Sequence, residues 1–231
     1  MKTIRQKLSA FHKSPKRLVV TVVLVILVLL MGGYAYYRNS LRSMLEYSKS
    51  LDRVAISVNG TDRTLREVAF YVAYEEMEVE EQARIYDAAD TQKYWNLHID
   101  GVFVNVAARN ASAQMAVHDE VFYQKAVEAG EELTEEEREA LENKVADFWN
   151  DLSDYDGETR MGITYEDVYA TMERIALAQR YQSIYAKLQN REYEDYDFSG
   201  ESYQELLEEN DYSIKTDIWK RIDFGNVILS H

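Results

Sequence analysis

The sequence predicts a mainly α-helical protein. An N-terminal transmembrane helix precedes a helical domain of about four to five helices, with a small β-sheet joining the start of that domain to its end. Three observations carry this prediction. No side chain from Leu18 through Tyr37 is charged. Past the first hundred residues, apolar positions recur at helical spacing over long runs. Two short alternating stretches, around Val54 to Val58 and Tyr212 to Ile218, lie at opposite ends of the remaining chain.

The charge-free stretch comes first. About 20 apolar residues carry a helix across a hydrocarbon core of roughly 30 Å. Every peptide group inside that core must be bonded within the segment, and a helix does this. Tyr34, Tyr36 and Tyr37 suit the aromatic belt at a membrane interface. The competing reading is a cleaved signal peptide ending near Ala35, but the apolar region of such a peptide is usually about 7 to 15 residues and this one is longer. The chain has no cysteine, which excludes a lipoprotein anchor. Lys2, Arg5, Lys7, Lys13, Lys16 and Arg17 precede the span and no acidic residue occurs before Glu46, so the N-terminus is expected in the cytoplasm and the domain outside it. The chain then divides into a basic tail over 1–17, a membrane span over 18–37, a stalk over 38–52 and an extracytoplasmic domain over 53–231.

With 231 residues there is room for one anchor and one domain with a hydrophobic core. Of 26 basic and 41 acidic residues, the six before the span together with Arg38 and Arg42 are set aside, leaving 18 against 41 and a net charge near −23 beyond it. Such a field argues against nucleic acid and against an anionic lipid surface as partners of the domain. It favours basic or unfolded polypeptides. Without cysteine there are no disulfides and no thiolate metal site, so folding rests on core packing.

Within the domain, Val54, Ile56 and Val58 read as a strand that ends in the turn Asn59-Gly60. Thr64 with Glu67 three residues on reads as a capping box opening a first helix, with Leu65, Val68, Ala69 and Val72 on one face. A second helix is expected over about 99–129, closed by Gly130 and small enough around Ala107-Ala108 and Ala111 to Ala113 for another helix to approach closely. Thr134 to Glu137 forms another capping box, followed by Leu141, Val145, Phe148 and Leu152 at spacings of four, three and four. After a turn at 154–162, Thr164 and Asp167 open a fourth helix carrying Val168, Met172, Ile175, Ala178, Tyr181, Tyr185 and Leu188. Residues 190–200 read as a linker and 201–209 as a short helix. The alternation from Tyr212 to Ile218 marks a second strand, with Val227 to Leu229 a third candidate.

Sites for chemistry are sparse. The histidines are His12, His98, His118 and His231. His118-Asp119-Glu120-Val121-Phe122 resembles a zinc-protease helix, but Phe122 stands where the second histidine is required. His118 is expected to be a partly exposed helix residue. Asp154, Asp156 and Gly157 hint at a calcium loop, yet Leu152 and Ile163 fall at its first and last ligand positions. The chain has no Gly-rich phosphate loop and no G-x-S-x-G elbow. No cofactor, no metal and no catalysis are therefore expected. Asn59 and Asn110 fit the glycosylation pattern, which is too short to carry a role. The surplus is aromatic, with 18 Tyr, 7 Phe and 3 Trp. These rings can fill the core, or they can line a groove for extended polypeptide, where rigid aromatic contact area costs little entropy.

Taken in order, the motifs resemble the N-terminal chaperone domain of the SurA and PrsA foldases. Val54-Ala55-Ile56-Ser57-Val58-Asn59-Gly60, Thr64-Leu65-Arg66-Glu67, the helix end Gln124 to Gly130 and Leu133-Thr134-Glu135-Glu136-Glu137 are followed by Gly162 to Val168 and Ala176-Leu177-Ala178-Gln179. Tyr212 to Ile222 is similar to the segment that returns to this domain. The resemblance spans about residues 53–222 and implies a SurA-N-like helical domain. In that family a parvulin prolyl isomerase domain lies before the closing segment. Here about 20 residues separate Leu188 from Tyr212, so isomerase activity is not implied. What the resemblance implies is a holdase that buries apolar segments of exported polypeptides. Phe70, Tyr74, Met77 and Phe103, on or beside the first two helices, are the candidate client-binding residues. A structural adaptor docking on one fixed partner in an envelope or secretion complex is the alternative, and an enzyme with an unrecognised site the third.

Overall fold

The computed structural model describes residues 23–34 and 43–230. The chain separates into two compact units, Met1–Ser43 and Met44–His231.

In the first unit, residues 23–34 form one helix. This corrects the transmembrane helix expected over 18–37. Among the described residues no helix is long and apolar enough to cross a membrane. Residues 18–22 and 35–37 of the expected span lie outside the described residues, as does the basic tail over 1–17.

The second unit is mainly helical and carries a small antiparallel sheet. It begins at Met44, within the expected stalk, because Tyr47 and Leu51 are buried and the Tyr47 hydroxyl donates to the Leu65 carbonyl at 2.7 Å. Strands β1 (Val54–Val58) and β2 (Thr61–Thr64) form a hairpin in which Val58 faces Thr61. Its two-residue turn needs positive φ at both positions, which Asn59 (φ 49°) and Gly60 (φ 80°) supply. The turn is also tied to the far end of the chain, since the Asp211 amide donates to Asn59 Oδ1 at 3.0 Å and Asn59 N to the Asp211 carbonyl at 2.7 Å.

Thr64 and Glu67 do interact, with Thr64 N and Oγ1 each donating to Glu67 Oε2 at 2.9 Å. They do not open a helix at that point. The next amides are committed elsewhere, Leu65 N to Arg53 O and Arg66 N to Leu51 O, so Thr64 ends a strand. Helix α1 (Ala69–Asp87) starts five residues after Thr64, and buries Ala69, Tyr71, Val72 and Ala73. The short α2 (Gln92–Trp95) follows, then a tight hairpin of β3 (His98–Ile99) and β4 (Val102–Phe103). Asp100 (φ 50°) and Gly101 (φ 88°) turn it in the same way as Asn59-Gly60. The second long helix, α3 (Val104–Ala129), therefore starts at Val104 rather than near residue 99. Gly130 caps it in the left-handed conformation, φ 71°.

Helix α4 (Glu135–Ser153) begins at a complete capping box, with Glu137 N donating to Thr134 Oγ1 at 3.2 Å and Thr134 N to Glu137 Oε2 at 2.7 Å. Leu141, Val145, Phe148 and Leu152 are all buried. The turn expected at 154–162 contains a short helix, α5 (Gly157–Met161). Helix α6 (Tyr165–Leu188) opens at the Thr164–Asp167 box. It packs against α3, whose small residues Ala108, Ala113 and Ala116 are buried, while the Ser112 hydroxyl donates to the Tyr71 carbonyl of α1 at 3.1 Å. The end of the apolar stripe predicted for α6 does not reach the core, because Leu188 is 68% exposed. The stretch 190–200 is more than a linker, since Tyr196 is buried in a single 3-10 turn, Glu194–Tyr196.

Helix α7 (Glu201–Glu208) leads to β5 (Tyr212–Ile214), which pairs antiparallel with β1, Ile56 opposite Ile214. The sheet order is β2-β1-β5, so the start and end of the domain share one sheet. The strand expected to run to Ile218 stops at Ile214. Lys215 N and Trp219 Nε1 both bond the Ala55 carbonyl, at 2.9 and 3.0 Å, and turn the chain into α8 (Thr216–Trp219). Val227 to Leu229 is not a strand either. Its amides go to a side chain, as Gly225 N, Val227 N and Ile228 N all donate to the buried Glu76 carboxyl of α1.

Two other buried polar groups hold elements together. Arg63 of β2 makes a two-pronged bond to Glu120 of α3, Nε to Oε2 at 2.8 Å and Nη2 to Oε1 at 3.0 Å, and also reaches Glu67 Oε1 at 2.9 Å. His118, expected to be partly exposed, is buried. Its Nδ1 lies 2.8 Å from Asp119 Oδ1 and its Nε2 2.8 Å from the Tyr196 carbonyl. Both nitrogens thus face acceptors, which only the imidazolium satisfies. Burial works against that charge, but Asp119, the Tyr196 carbonyl and Asp197 outweigh it and raise the pKa above 6.5. The stabilisation this gives is complete below about pH 6.5 and fades as pH rises through the folded-state value. His118→Asn is expected to flatten this part of a stability profile measured by urea denaturation from pH 6 to 9, and an unchanged profile would exclude the imidazolium.

Candidate functional site

The turn-by-turn spacing of Phe70, Tyr74 and Met77 places them along the side of α1 that meets α4. The Phe70 ring stacks on Tyr74, centroids 5.7 Å apart at 17°, and tilts against Phe148 of α4 at 4.6 Å. This three-ring cluster contributes to two cavities, Phe70 to one and Tyr74 and Phe148 to the other. The first, about 430 Å³, lies between α4 and α6 and is lined by Phe70, Leu133, Leu141, Met172 and Ile175. The second, about 590 Å³, is lined by Tyr74, Met77, Phe148 and Tyr155, with Glu78, Glu81, Arg84, Asp151 and Asp154 around them.

Polar contacts hold the walls at a fixed separation. Arg180 of α6 reaches Glu137 at the start of α4, Nη1 to Oε1 at 2.9 Å, and Glu131 Oε2 at 3.2 Å. Arg138 and Glu173 approach at 3.4 Å across the same gap. These are partly exposed pairs, each contributing roughly 0 to 1 kcal/mol, so they orient the helices more than they stabilise them.

Carboxylates crowd the second cavity and the neighbouring turn of α1, where Glu75 lies outside the lining. Burial, followed by the charge of Glu78, pushes the Glu75 carboxyl up to about 7. The Tyr74 hydroxyl is raised by burial and then by Glu78 and Glu75.

Of the four residues expected to bind a client, the structure brings three together. Phe70 is half-buried and lines the first cavity, Tyr74 is 38% exposed, and Met77 lines the second cavity. Phe103 lines neither. It sits 50% exposed in β4, its ring edge-on to His98 at 5.0 Å, because the Asp100-Gly101 turn lifts it out of the helix it was expected to join. Sequence reading missed Phe148, Tyr155, Met172 and Ile175. Phe148, Met172 and Ile175 lay on apolar stripes, where periodicity does not separate a groove floor from a core.

Among the described residues, no group of three or more His, Asp or Glu side chains is arranged to hold a metal ion. Compared with known proteins, the chain matches no family model, no curated protein and no solved structure. The SurA/PrsA resemblance accordingly rests on the order of sequence motifs alone.

Proposed function

We propose that the protein is a chaperone-like holdase that takes up apolar segments of unfolded polypeptides in the groove between α1, α4 and α6. The observation that carries this reading is the pair of cavities lined by the contacting rings Phe70, Tyr74 and Phe148, which offer concave, partly apolar space on the side of α1 that meets α4. Partly exposed tyrosine and methionine suit such a surface. Tyrosine offers area with few rotamers, and the unbranched methionine side chain adapts to different partners. The motif order shared with the chaperone domain of SurA and PrsA foldases supports the same reading. Capture and release then follow from modest affinity and need no cofactor or energy source.

The test is light scattering from a chemically denatured protein diluted into buffer with the full chain. Suppression at near-stoichiometric ratio is expected. The double variant Tyr74→Ser/Met77→Ser, which alters partly exposed positions, is expected to lose most of it while its circular dichroism and unfolding midpoint stay close to those of the parent. Phe103→Ser is expected to leave suppression intact. Full suppression by the double variant, or none by the parent, would overturn the groove assignment. In the second case capture of one stoichiometric partner, as by an adaptor, becomes the better reading.

A further inference from the structure

Building on that reading of the groove, we propose that its second cavity selects client segments in which a lysine or arginine neighbours an apolar or aromatic side chain. The floor there is Tyr74, Met77, Phe148 and Tyr155. Glu78, Glu81, Asp151 and Asp154 surround it, all four exposed, and among the described residues none of them belongs to an ion pair. An apolar floor ringed by four carboxylates against the single cation Arg84 is complementary to a side-chain pair, one part apolar and one part cationic.

The cavity already contains an example of the recognition it offers. The Arg84 guanidinium lies 5.4 Å from the centre of the Tyr155 ring, with its Nε 3.6 Å from Glu80 Oε1. A cation over a ring face with a carboxylate alongside is a favourable arrangement in itself. A client lysine or arginine entering beside it would meet the same two kinds of group. At the floor, the charge of Glu78 adds to the burial that raises the Tyr74 hydroxyl, so an entering cation would meet a negative neighbour there. The same field repels acidic segments, which gives selectivity by exclusion as well as by attraction. The first cavity lacks this bias, since Lys144 and Arg180 lie with Glu137 at its edge.

Fluorescence anisotropy with the full chain decides the matter, using three labelled peptides of equal length. One alternates Phe and Leu with Lys, one places Glu at the Lys positions, and one keeps the Lys and replaces Phe and Leu by Ser. The Lys–aromatic peptide is expected to bind about tenfold more tightly than the Glu–aromatic one, a difference of about 1.4 kcal/mol, and the Lys–Ser peptide weakly. The preference should shrink when salt is raised to about 0.5 M, where screening acts over a few ångströms. The isosteric variant Glu78→Gln/Glu81→Gln/Asp151→Asn/Asp154→Asn should bind both aromatic peptides alike. Equal binding of the two by the parent overturns the selectivity and leaves the groove reading standing, provided Tyr74→Ser/Met77→Ser weakens both. If the parent binds neither, the groove reading fails and the selectivity with it.

Discussion

Glu76→Ala is expected to destabilise the domain by about 2 to 6 kcal/mol, because two buried backbone N–H groups and a third part-buried one lose their acceptor and each buried loss costs roughly 1 to 3 kcal/mol. The amides of Gly225, Val227 and Ile228 all converge on this one side chain, at 2.5, 3.2 and 2.9 Å. Beyond α8 no strand holds the described residues, so the packing of Phe224, Ile228 and Leu229 against the core leans on that carboxyl, with Arg160 Nη1 donating to the Leu229 carbonyl at 3.0 Å. Urea denaturation should show a lower midpoint with little change in slope, and proteolysis should cut the last residues first. A loss under about 1 kcal/mol would mean that water or relaxation satisfies those amides.

The same residue has a pH signature. Burial raises the Glu76 carboxyl to about 7 even against the three N–H donors, so the folded state binds its proton more tightly than the unfolded chain does. The stabilisation is then full below about pH 4.5 and is lost as pH rises toward 7, by up to roughly 3 kcal/mol. His118 contributes a slope of the same sign at higher pH, and the single variants Glu76→Gln and His118→Asn separate the two.

Much of the helical layout was legible because it is written in local chemistry. Thr134 with Glu137 and Thr164 with Asp167 start α4 and α6 where the boxes stand, and Gly130 ends α3. Thr64 with Glu67 carries the same local signal, but its neighbours' amides are taken by Arg53 and Leu51, so tertiary pairing overrides it. The β3–β4 hairpin was hidden because its strands are two residues long, and Asp100-Gly101 sits inside a run that also fits helical periodicity. The charge-free stretch 18–37 matched the length of a membrane span, whereas the helix described there covers 23–34. At the groove, Phe70, Tyr74 and Met77 stood out as aromatic or adaptable residues beside a stripe. Phe148 did not, since its spacing to Leu141, Val145 and Leu152 is that of an ordinary core position and only the approach of Phe70 gives it a second role.

Arg63→Met is the second large effect, expected to cost about 3 to 5 kcal/mol by leaving a buried carboxylate without its partner. The Glu120 side chain is only 4% exposed, and Gln124 Nε2, at 2.8 Å, donates to it without neutralising its charge. Arg63 also holds Glu67, whose carboxylate is kept below the usual range because its bonds to Thr64 and Arg63 outweigh the cost of burial. Losing the guanidinium therefore loosens the turn between β2 and α1, three residues before Phe70. Replacing both partners, as Arg63→Met/Glu120→Leu, should recover most of the loss, because well-packed apolar groups of similar volume often match a buried ion pair in stability. A double-mutant cycle by urea denaturation reads the coupling directly. If the double variant is no more stable than Arg63→Met alone, the cost lies in the lost contact of the guanidinium with the Tyr123 ring, whose centre is 5.8 Å away, and not in the stranded charge.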